Sequence, residues 1–152
     1  MTFNPKCLAT GLGSFPNLDA GKACDLILET LPEIPLWPQL SNINFHEQME
    51  IQYSEGFPRV VLDEIKSKMI IDTSGDSTNE LENFYENFVM DNLDYFRISP
   101  EYSRGIYAME EKLKESIPSP INYFKHQVTG PVTFVTGKIK TNFCLGRIRE
   151  KE

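Results

Sequence analysis

Ala9-Thr10-Gly11-Leu12-Gly13-Ser14-Phe15-Pro16-Asn17-Leu18 decides how this chain is read. The short apolar run Cys7-Leu8-Ala9-Thr10 leads into it and predicts a strand. Ala20, Ala23, Cys24, Ile27, Leu28 and Leu31 follow at helical spacing, with Asp19 as the expected N-cap and Pro32 as the stop. The stretch is therefore a strand-to-helix junction. Its two glycines let the backbone approach a ligand closely, and the free N–H groups at the helix start suit a carboxylate or other small anion. The junction Gln127-Val128-Thr129-Gly130-Pro131-Val132-Thr133 has the same character, after a second expected strand over 121–128.

Between the junctions, Pro32 to Leu40 holds three prolines and the only tryptophan, Trp37, which predicts an extended loop with Trp37 either plugging the core or lining a cleft. Phe45, Met49 and Tyr53 fall on one face of a short helix. Arg59–Leu62 and Lys68–Asp72 predict a hairpin. Ser77 with Glu80 has capping-box spacing, and Leu81, Phe84, Tyr85, Phe88, Val89 and Leu93 predict a strongly amphipathic helix. Ser99-Pro100-Glu101 predicts the start of the next helix, whose buried stripe is Tyr102, Ile106, Met109 and Leu113, and Pro118 and Pro120 end it. Two core strands separated by helices imply parallel pairing, hence an α/β fold with both glycine turns at the C-terminal ends of strands.

At 152 residues the chain has the length of one domain. Its net charge of −7 argues against nonspecific binding to nucleic acid or to an anionic membrane surface. No apolar stretch reaches the ~20 residues of a membrane span, and Met1 to Lys6 has no signal-peptide character. Three cysteines make no disulfide framework, so a cytoplasmic setting is expected. Charge is uneven. Residues 132–152 carry five basic and two acidic side chains, +3, so −7 less +3 leaves −10 on residues 1–131.

Individual motifs exclude more than they assign. The first turn lacks G-x-G-x-x-G and the P-loop pattern, and Ser14 stands outside any G-x-S-x-G. Cys7, Cys24, Cys144, His46 and His126 show no zinc-ligand spacing. Cys24 is expected in the core and His126 as a buried, satisfied histidine. Glu47, Glu50 and Glu55 read as a solvated helix face, and Asp72 and Asp76 as turn formers.

Taken together, Thr10-Gly11-Leu12-Gly13-Ser14-Phe15-Pro16 and Gly130-Pro131-Val132-Thr133 resemble the T-x-I-G-S-F-P and G-P-V-T turns of the cobalamin-independent methionine synthases. The middle of the chain looks like shorter relatives in the wider group that includes uroporphyrinogen decarboxylase, whose own R-Q-A-G-R-Y opening is absent. The likeness covers roughly residues 7–134. It implies the N-terminal portion of a (β/α)8 barrel (TIM-barrel) with a β-hairpin insertion, over residues 1–134, followed by a divergent basic tail at 135–152.

It further implies methyl transfer to a thiol such as homocysteine. Leu12, Gly13 and Ser14 would hold the amino-acid end of homocysteine or methionine, with Gly130, Pro131 and Thr133 as the facing wall. The family's zinc ligands, a His-x-Cys pair with a later Glu and Cys, have no match here. No catalytic residue, metal ligand or cofactor is therefore assigned within this chain, zinc is expected only in a complete family member, and no activity is expected alone. The change at residue 135 is what a premature stop or a shifted frame produces, with a short paralogue or half of a split enzyme as alternatives. A complementing chain carrying the C-terminal half, or a homo-oligomer, would then be the partner. A non-catalytic interaction module or a truncated remnant is the rival reading.

Overall fold

The structure is a computed structural model that describes residue 4 and residues 6–115 and 121–136. The basic tail from residue 137 on, and Pro118 and Pro120, lie outside the described residues.

The fold is mixed α/β. Its elements are α1 (Ala20–Thr30), a 3-10 turn (Phe45–Glu47), α2 (Met49–Gln52), β1 (Val60–Asp63), β2 (Lys68–Ile71), α3 (Thr78–Val89), α4 (Arg104–Glu115) and α5 (Pro131–Thr136). The hairpin forms as expected: β1 and β2 pair antiparallel, with Val60 opposite Ile71 and Asp63 opposite Lys68.

The centre of the molecule is three extended segments joined by isolated parallel bridges, Ser14 with Gln39 and Leu36 with Lys125. Gln39 N donates to Gly13 O and Phe15 N to Gln39 O, at 2.9 Å for the latter; Lys125 N donates to Pro35 O at 2.8 Å. The middle segment thus lies between the other two. Cys7–Thr10 is not a strand, because the chain turns at Lys6 and Cys7, both at positive φ, and pairing begins only at the glycine turn. Pro32–Leu40 is extended as expected, yet it is no surface loop: every residue from 34 to 40 is buried. Its prolines lack N–H donors, so a continuous ladder cannot form and only single bridges survive.

α1 and α4 pack on one side of these segments and on each other. Cys24, Ile27, Leu36, Trp37 and Met109 form the buried cluster between them, each large aliphatic side chain contributing about 2 kcal/mol by leaving water. α1 is capped by Asp19, whose Oδ1 accepts from Lys22 N at 3.0 Å. α4 can approach because Gly105 has no side chain: a Cβ there would fall on the Pro38 carbonyl, with Pro38 C at 2.9 Å. α4 starts at Arg104, five residues after the expected Ser99. Ser99 O instead accepts from Tyr102 N and Ser103 N, closing a turn first.

A second cluster, Ile51, Met69, Ile71 and Phe134, fastens the hairpin to α2 and α5. The predicted Phe45–Met49–Tyr53 helix is broken into the 3-10 turn and the four-residue α2, and it buries Ile51 and Gln52 in place of Met49. α3 starts where predicted but ends at Val89, short of Leu93, and its capping box does not form. Ser77 makes no side-chain cap; Asp76 Oδ1 takes Thr78 N at 2.9 Å, and Glu80 is drawn away to Arg59 N at 2.8 Å. None of its residues is buried.

Candidate functional site

The three parallel segments meet in a seam of polar side chains. Gly13 N donates to Gln127 Oε1 at 3.0 Å. Gln127 Nε2 donates to Gln39 Oε1 at 3.4 Å, and Gln39 Nε2 to Gln52 Oε1 at 3.1 Å. Gln52 Nε2 then donates to Glu47 Oε2 at 3.4 Å. The Lys125 ammonium lies against Gly11 O and 3.5 Å from Gln127 Oε1. Tyr53 OH donates to the Gln127 carbonyl, and burial pushes its phenol up. A Cβ at Gly13 would displace the Gln127 amide from its present position and press on the Gln39 side chain at 3.2 Å.

Glu47 closes the seam from inside. It is fully buried, which corrects its reading as a solvated acid. Its Oε1 accepts from Arg104 N at 2.8 Å and its Oε2 from Leu40 N at 3.5 Å. Burial pushes its carboxyl above the ordinary range, and the two backbone N–H donors hold it back. The carboxyl therefore ties the central segment to the start of α4.

Of the residues singled out in the sequence, Gly13 is buried in this seam, Ser14 is exposed at its rim and bridged to Gln39, and Leu12 is 80 % exposed. Gly130, Pro131 and Thr133 are exposed. Pro131 opens α5, where its missing N–H costs nothing, and nothing approaches Gly130 within 4 Å of a built Cβ. The two turns are linked indirectly, through Gln127. Thr129 Oγ1, on the approach to the second turn, donates to Met49 O at 3.2 Å.

The third segment has two chemically distinct faces. Lys125 and Gln127 face the seam, whereas Phe124 and His126 alternate onto the other side. There Trp37 stacks on Phe124 at 6.2 Å and meets His126 edge-on at 4.9 Å. These rings and α4's Ile106, Met109 and Leu113 line an apolar cleft of about 550 Å³. None of the six sequence-predicted site residues lines it. His126 is exposed, not buried as expected. Cys24 is buried as expected, and burial pushes its thiol up to about 12, leaving it inert as a nucleophile.

The sequence reading missed Gln39, Gln52, Glu47 and Lys125. Lys125 and Gln127 were findable, because polar and aromatic residues alternate over 124–127. Gln39 and Gln52 carried no signal, since only the fold brings them together.

Among the described residues no group of three or more His, Cys, Asp or Glu could hold a metal ion. Among them, too, no helix is long and apolar enough to cross a membrane. No protein-family model, curated protein or solved structure matches the chain.

Proposed function

We propose that these residues form the amino-acid-binding part of a methyltransferase of the methionine-synthase type, built as the opening β/α units of a (β/α)8 barrel. One observation carries the reading: the first glycine turn and the tract that runs into the second are each bridged in parallel to the central segment lying between them, and the Gly13–Gln127 bond joins them at the C-terminal end of that segment. In barrels of parallel strands that end is where substrates bind. Two further features support it. The segments pair in sequence order, and α1 and α4 lie on the same side of them, the winding sense of a barrel and not of a doubly wound sheet.

In this reading Leu12, Gly13 and Ser14 present backbone and hydroxyl groups to the amino-acid end of homocysteine or methionine. Lys125 supplies positive charge beside a carboxylate. Gly130, Pro131 and Thr133 wall the pocket. Thiol activation would come from a zinc-bearing C-terminal half on the same or a complementing chain, so this stretch alone transfers no methyl group.

Calorimetric titration of methionine and of homocysteine into the chain, with and without zinc, tests the proposal. Millimolar or tighter binding is expected, about −4 kcal/mol or better, weakened by Ser14→Ala. Absence of binding under every condition overturns it. The exposed apolar face of α3 favours a second reading, an interaction module.

A further inference from the structure

Helix α3 is amphipathic, but its apolar stripe faces outward. Phe84 turns inward, meeting Phe57 at 5.8 Å and Phe96 at 5.4 Å. Tyr85, Phe88 and Val89 are 60 %, 68 % and 81 % exposed, and the stripe continues into Met90 and Leu93 at 76 % and 73 %. Leu81, Tyr85, Val89 and Met90 line a groove of about 610 Å³ together with Glu82 and Glu86. Contiguous exposure of large apolar side chains marks an interaction surface.

The charge around the stripe selects its occupant. Residues 78–94 contain five acids (Glu80, Glu82, Glu86, Asp91, Asp94) and no Lys or Arg. Glu80 is engaged by Arg59, at 3.5 Å. Among the described residues no ion pair neutralises Glu82 or Glu86. A second copy docked about a two-fold axis would set these acids against themselves, and an anionic surface would be repelled. We propose that the outward face of α3 docks a cationic amphipathic helix of another protein, its apolar anchors in the groove and its Lys or Arg flank against Glu82 and Glu86. The inference is independent of the methyl-transfer reading.

Two labelled synthetic peptides of about 14 residues, roughly the length of α3, test it by fluorescence anisotropy with the full chain. Both carry the same leucine stripe; one has a lysine flank, the other a glutamate flank. The lysine peptide is expected to bind in the micromolar range and the glutamate peptide at least about tenfold more weakly. Tyr85→Ser with Val89→Ser should weaken the lysine peptide about tenfold. Glu82→Gln with Glu86→Gln should weaken it and flatten its dependence on salt. Circular dichroism confirms that each variant keeps its helix. Equal affinity for the two peptides, or indifference to both double variants, overturns the proposal. So does sedimentation as a dimer that Val89→Glu converts to monomer, since the occupant would then be a second copy.

Discussion

Residues 34–40 are buried without interruption, whereas α3 buries none of its twelve residues. The sequence suggests the reverse. The first stretch contains Pro35 and Pro38 and has no clean period, while α3 carries a regular amphipathic pattern. Periodicity reports which conformation a segment adopts by itself. Burial depends on what lies alongside. The proline tract is flanked by backbone on both sides, and its carbonyls accept where its prolines cannot donate. α3 is held at its edge by Phe84 and by the Arg59–Glu80 contact, leaving its broadest face to solvent.

The largest expected effect tests the buried side of this contrast. Gly105→Ala places a methyl group on the Pro38 carbonyl. Backbone stands on both sides of the contact, so α4 must withdraw from the central segment. A loss of about 3 kcal/mol or more is expected in urea unfolding. A variant as stable as the parent would show that α4 is not seated on residues 34–40, and the contrast would lose its basis.

Glu47 gives a smaller, pH-dependent effect that sharpens the comparison. Its folded carboxyl titrates above the ordinary value of 4.5. Between those two values the folded chain keeps a proton that the unfolded chain has released. Stability from this group therefore falls as pH rises through that window and is level above it. Glu47→Gln removes the titration. The wild-type stability minus that of Glu47→Gln should decline with rising pH from about 4.5 upward. A difference that rises instead would mean that the N–H donors from Arg104 and Leu40 outweigh burial. Asp63, Asp76 and Glu110 shift the opposite way through their own hydrogen bonds, but they are common to both proteins and cancel.

What could be read from the chain follows the same division. The Asp19 cap, the hairpin, the start of α3 and the burial of Cys24 depend on neighbours within a few residues, and each was legible. The glycine turn was legible as a turn, because Gly11 and Gly13 announce it. Its surroundings were not, because Gln39, Gln52, Glu47 and Gln127 come from four separate places and meet only after residues 34–40 are threaded between the other two segments. The Ser77–Glu80 box failed for a related reason: Glu80 had a better partner in Arg59, distant in sequence and adjacent in space.

The smallest effect belongs to the exposed side. Phe88→Ser and Val89→Ser remove large apolar side chains from the last turn of α3, a change that in a buried stripe would cost several kcal/mol. Here the side chains already face water, at 68 % and 81 % exposure, so little transfer energy and no cavity are at stake. Serine lowers helix propensity only slightly at each position. Each single variant should unfold within about 0.5 kcal/mol of the parent. A loss of 2 kcal/mol or more, marked by a midpoint that also rises with protein concentration, would mean that something already covers this face in solution. The unburied helix would then be an interface seen without its other half.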